Sequence, residues 1–168
     1  MGKKLAYFLI ITVVMLSISY GLKSCYFTYN SAKGTVETFL QDFNTNKNKY
    51  QIKYAELNDL SSQGGLLNGY YEDENLKYIE SSIFGETGKI LYDIYFINNS
   101  LVYFVETHVK YDKTIYDEDF KVLEQNVREY LIKNDKIYQY NETLTLLDND
   151  DIYKYLKVLN DFKKILSN

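Results

Sequence analysis

The chain predicts an α+β fold: an antiparallel meander of about five or six strands with a short amphipathic helix before it and another after it. Two patterns carry that expectation. Apolar residues recur at helical spacing near both ends, and between them lie stretches rich in Tyr, Ile, Val and Phe, separated by short turns containing Asn and Gly. Connections that short cannot hold a parallel crossover, so successive strands pair as hairpins. A third pattern, an apolar run over residues 5–16, places an N-terminal hydrophobic helix ahead of the folded part.

That first element begins with Lys3 and Lys4, which lead into Leu5 to Leu16, a run interrupted only by Thr12. The positive charge holds the amino terminus in the cytoplasm while the apolar run enters the bilayer, so the rest of the chain is expected to be extracytoplasmic. Three products fit. Ser17-Ile18-Ser19 offers small residues for signal-peptidase cleavage before Tyr20. Leu5 to Leu22 reaches the length of about 17 or more residues needed for an uncleaved membrane anchor. Leu22-Lys23-Ser24-Cys25 resembles the lipobox of bacterial lipoproteins, although Lys23 stands where a small or apolar residue is usual. That resemblance implies an acylated Cys25 as the new amino terminus, and it favours a lipid-anchored envelope protein. Residues 1–25 are therefore a signal peptide or membrane anchor, 26–33 a spacer, and 34–168 a single extracytoplasmic domain. The membrane is the expected partner, reached through this segment or through a lipid on Cys25.

Beyond the spacer, Val36, Phe39, Leu40 and Phe43 fall at i, i+3, i+4 and i+7, the stripe of a short amphipathic helix that Asn44 to Lys49 ends. Tyr50 to Leu57 reads as a strand, and Asn58 to Gly69, with Gly64-Gly65, as a loop. Residues 70–84, 90–97 and 101–111 read as strands divided by Gly85 to Lys89 and by Asn98-Asn99-Ser100. In the last of these, Leu101, Tyr103, Val105, Thr107, Val109 and Tyr111 share one face. Val102, Phe104, Glu106, His108 and Lys110 share the other, which is apolar only at its start. Val127 to Ile132 and Ile137 to Leu147 form a further hairpin around Lys133 to Lys136. Asp148 to Asp151 then signals a helix start, and Ile152, Tyr155, Leu156, Leu159, Phe162 and Leu166 continue at helical spacing. Both amphipathic helices are expected to cover the same buried face of the sheet.

Gly64-Gly65, Gly69-Tyr70-Tyr71, Asn75-Leu76, the GETGK of Gly85 to Lys89, Tyr95-Phe96, Asn99, Leu101 and Phe104-Val105 succeed one another in an order that resembles a type of small exported bacterial protein. In that type, often lipoproteins, a Gly-Gly loop precedes a tyrosine-rich meander. The resemblance covers roughly Leu60 to Tyr140 and implies export and fold, with no catalytic residue to carry over.

Composition narrows the function. All 23 acidic residues lie after Cys25 and three of the 19 basic ones precede it, leaving 16 against 23, a net charge of −7 on the exported part. Nucleic acid is excluded as a partner on that balance. With one cysteine the domain has no intramolecular disulfide, and with no proline it has no Pro-rich stalk. Its stability must come from its core.

Each candidate for chemistry has a plainer explanation. GETGK shares a glycine and lysine with phosphate-binding loops, but Ile83 stands where the first glycine belongs and Ile90 where Ser or Thr does, so it reads as a hairpin turn. His108 is the only histidine, which argues against a zinc site and makes an exposed strand histidine the expectation. Glu72-Asp73-Glu74, Asp117-Glu118-Asp119 and Asp148-Asn149-Asp150-Asp151 suit turns and helix capping. No catalytic residue, metal ligand or cofactor is assigned. One positive candidate is an aromatic surface at Tyr92 and Phe104, because tyrosine joins a large contact area to a polar tip that suits a glycan or an envelope protein. The function expected is a non-enzymatic, membrane-tethered or exported envelope module that binds a protein or cell-wall component. The alternatives are a hydrolase using carboxylates brought together by folding, and a structural lipoprotein.

Overall fold

The computed structural model describes residues 30–167 apart from 32, 59–60, 134–135 and 142. Eight antiparallel strands form one sheet in which every strand lies beside its chain neighbour, in the order β1 to β8. They are β1 (Gln51–Glu56), β2 (Gly65–Glu72), β3 (Asn75–Gly85), β4 (Gly88–Ile97), β5 (Ser100–Tyr111), β6 (Val122–Lys133), β7 (Lys136–Asn141) and β8 (Thr143–Leu146). Two helices complete it: α1, residues 33–45, and α2 (Asn149–Ser167). The α+β class, the meander and the C-terminal helix agree with the sequence pattern. Helix α1 begins inside the expected spacer, since residues 30 and 31 are already helical. The hydrophobic segment and Cys25 lie outside the described residues, and no described helix is long and apolar enough to cross a membrane.

The strand count exceeds the expected five or six for identifiable reasons. Residues 70–84 hold a hairpin, because Asp73 and Glu74 adopt φ of 47° and 67° and turn the chain in two residues. Asn98 and Asn99 do the same between β4 and β5, at 50° and 62°. Residues 65–69 belong to β2 and not to a loop, because their glycines serve close approach. A Cβ on Gly65 would lie 2.5 Å from the Ser82 carbonyl oxygen, and one on Gly69 would lie 2.7 Å from Leu166 Cδ1 of α2. GETGK is the expected turn, with Gly85 ending β3 and Gly88 opening β4.

The helices do not share a face. Val36 and Phe43 of α1 pack with Tyr50, Tyr70, Tyr78, Tyr95, Tyr103 and Leu131. Leu159, Phe162 and Leu166 of α2 pack with Leu67, Ile79, Ile94, Phe104, Tyr130 and others. Tyr78 with Ile79, Tyr95 with Ile94, and Tyr130 with Leu131 are adjacent residues in opposite clusters, so both faces of the sheet are buried. Bulges preserve that division: Tyr95 opposes Tyr103 while Phe96 opposes Leu101, which leaves Val102 unpaired and returns Leu101 to the α2 side. One helix per face, each covering part of a long sheet, leaves the remaining sheet surface to define the sites.

Candidate functional site

Register sets residues of the α2 face in rows across the strands. Ser81, Tyr92, Glu106 and Arg128 form one row, and Ile83, Ile90, His108 and Asn126 the next toward the β3–β4 turn. Glu106 is 1 % exposed, the most deeply buried charged residue described. A carboxylate removed from water requires donors and a compensating cation. Tyr92 and Tyr155 hydroxyls donate to it at 3.1 Å, and the Tyr130 hydroxyl lies 3.5 Å from it. Tyr130 and Tyr155 also share a 2.5 Å contact between hydroxyls. Arg128 Nη1 stands 3.6 Å from Glu106 Oε2, and His108 Nε2 3.1 Å from Oε1 but out of line for a hydrogen bond.

The three phenols are held neutral. Burial, then the Glu106 charge, raises Tyr92; burial, then its bond to Tyr155, raises Tyr130; burial again leads for Tyr155. Tyr155 belongs to α2, so this cluster also clasps the helix to the sheet.

Beyond the clasp, where α2 does not reach, the same face opens into a groove of about 610 Å³. Its floor is Ile83 and Ile90. His108, Asn126 and Arg128 stand along it, and the Gly85–Gly88 turn closes its far end with Lys110 and Glu124 beside it. Arg128 and His108 are 41 % and 40 % exposed, so each has one side against Glu106 and another toward the groove. Flat aliphatic floor, forked donor, imidazole and side-chain amide together suit the binding of a polar ligand with an apolar flank.

The opposite face carries a different polar row. Asn68, Glu80, Asp93, Val105 and Glu129 are cross-strand neighbours beside the tyrosine ladder of α1. Tyr70 donates to Glu80 at 3.1 Å, Tyr103 to Glu129 at 2.7 Å, and Tyr78 to Asp93. Burial raises Asp93, as does the nearby Glu80 charge, against the lowering effect of Tyr78. Folding therefore brings two carboxylates opposite each other.

Of the residues singled out in the sequence, Tyr92 and Phe104 are 6 % and 4 % exposed beneath α2, so they form core, and the expected aromatic surface is not built from them. Tyr92 contributes through its hydroxyl alone. His108 is half-exposed on a central strand. Asp73 and Glu74 make a turn; Asp117 caps Thr114, whose hydroxyl and amide bonds lower its carboxyl; Asp148 caps α2 through the Asp151 amide at 2.9 Å. Among the described residues no three His, Cys, Asp or Glu side chains converge as a metal site. Glu106 and Arg128 escaped the sequence reading. Their only signals were an acid after an apolar strand start and the single arginine of the chain.

No family model, curated protein or solved structure matches the chain.

Proposed function

We propose that this chain is a non-enzymatic envelope module, tethered or exported through residues 1–25, which binds an extracytoplasmic protein or cell-wall component in the α2-side groove. The observation that carries the reading is the groove itself, with His108, Asn126 and Arg128 exposed along an aliphatic floor and backed by a fully satisfied Glu106. A buried network that holds a guanidinium and an imidazole at a concave surface is preorganised for recognition. The test is capture of components from the native envelope by the wild-type chain and by Asn126→Trp, which fills the groove from an exposed strand position. A component retained by the first and lost from the second supports the reading; identical retention profiles sink it.

Mass spectrometry of the mature amino terminus tests the location. A diacylated Cys25 identifies the lipoprotein, an amino terminus at Tyr20 a released protein, and an intact segment from Met1 an anchor. The hydrolase reading draws its support from Glu80 and Asp93, cross-strand partners of which Asp93 is shifted upward. It predicts a glycosidase or esterase activity abolished by Asp93→Asn.

A further inference from the structure

We infer that the groove recognises the free carboxyl end of an extended peptide, with Arg128 as the carboxylate fork; this rests on the groove being the ligand site. Three features lead to that chemistry. Arg128 is the sole arginine of an acidic chain and lies where its charge is only partly spent. Glu106 already has its tyrosine donors, and Arg128 approaches it at 3.6 Å, longer than a hydrogen bond, while bonding Tyr155; a guanidinium carries five N–H donors, so donors remain for a second planar anion. His108 presents an imidazole one row further along the strands, and Asn126 an amide beside it.

The groove's shape selects among carboxylates. From the row of Arg128 to the row of Lys110 is four residues, about 13 Å of strand, the span of roughly four extended residues. Its floor is aliphatic, Ile83 and Ile90, and suits a branched or methyl side chain, with Phe84 the one phenyl ring among the described residues that line it. The terminal carboxylate sits against Arg128, the last side chain lies on the isoleucines, and the preceding backbone runs toward the Gly85–Gly88 turn.

The experiment titrates the isotopically labelled full-length chain with an acetylated Gly-Ala-Leu-Ala peptide ending in a free carboxylate, with its carboxamide, and with glucuronate. Amide shifts are monitored at Ile83, Ile90 and Asn126. The free acid should shift these residues and bind at least tenfold more tightly than the carboxamide. Arg128→Gln should erase that preference. Because Arg128 also faces Glu106, Asn126→Trp provides the second variant and should abolish binding with the fold intact by circular dichroism. Equal shifts from acid and amide overturn the carboxylate assignment and leave the groove a ligand site; preference for glucuronate replaces the peptide with an acidic sugar. No response from any of the three overturns the peptide assignment, and only if envelope capture is also insensitive to Asn126→Trp does the reading of the groove fall with it.

Discussion

The two faces of the sheet solve one problem, a tyrosine hydroxyl beside a carboxylate, in two ways. Under α1, Tyr70, Tyr78, Tyr95 and Tyr103 stack as a ladder with ring centroids 5.3, 5.0 and 5.8 Å apart, and three of them each serve one acid at the margin of the core. Under α2 three tyrosines converge on one acid inside it. At the margin, Glu80 accepts from Tyr70 and Asn68 and Glu129 from Tyr103 and Lys33, whereas the buried Glu106 gathers Tyr92, Tyr130, Tyr155 and Arg128 around it. The deep arrangement is also the one that holds Arg128 and His108 at a groove.

Alkali should produce the largest effect, by breaking both faces together. Tyr70 is pushed up to about 12, first by burial, and Tyr78, Tyr92, Tyr95, Tyr130 and Tyr155 are all raised above their ordinary value of 10.0 with burial leading each time. A phenol held neutral in the folded state contributes stability that is complete below the unfolded value and is lost as pH rises through the folded one. The share of tyrosinate absorbance owed to these six phenols should therefore rise together with loss of far-ultraviolet circular dichroism, as one cooperative step above pH 10. Independent phenol titration with the fold intact would contradict this.

Next in size come the helix anchors. Phe162→Ala empties a position that is 0 % exposed and should cost about 3–5 kcal/mol, against about 1.5 kcal/mol for Val36→Ala under α1. Urea denaturation measures both, and equal losses would mean that α1 is embedded as deeply as α2.

Replacing the acids sharpens the contrast directly. Glu106→Gln keeps the shape and removes the charge, for an expected loss of about 1.5–3 kcal/mol, whereas Glu80→Gln at the exposed margin should stay within about 1 kcal/mol. A smaller effect concerns Asp93, which burial raises, so its ionised form opposes folding. That penalty is present above the raised value and relieved as pH falls through it, so the wild type should gain on Asp93→Asn as the solution is acidified. Urea midpoints compared across acid pH read the difference. The smallest effect belongs to the exposed edge: Ile52→Thr, at a residue 54 % exposed, should change stability by no more than about 0.5 kcal/mol.

Much of the architecture was legible because short-range chemistry wrote it. Asn98-Asn99 tolerates left-handed backbone, GETGK turns between glycines, and the stripe from Ile152 to Leu166 buries Leu159, Phe162 and Leu166. The sidedness of the helices was not legible. Tyrosine and isoleucine stand side by side at Tyr78-Ile79 and Ile94-Tyr95, and a tyrosine can equally be a wetted surface or a core layer, so the pattern names no preferred face. Glu106, on the strand face that is apolar only at its start, gave no sign of its burial for a related cause. The tyrosines that satisfy it lie 14, 24 and 49 residues away, and no local signal announces such donors. Gly65 and Gly69 looked like loop residues because what they admit, the Ser82 carbonyl and Leu166, arrives from distant sequence.

The meander order has a kinetic meaning. Each strand's partner is the stretch delivered immediately before it, so a chain threaded amino terminus first through a narrow channel can zip itself shut behind the opening, one hairpin at a time. The last helix departs from this order, reaching back across 113 residues for Lys53 to bond the Leu166 carbonyl. Until it lands, one side of the sheet is finished and the other is bare, with Glu106 still in water.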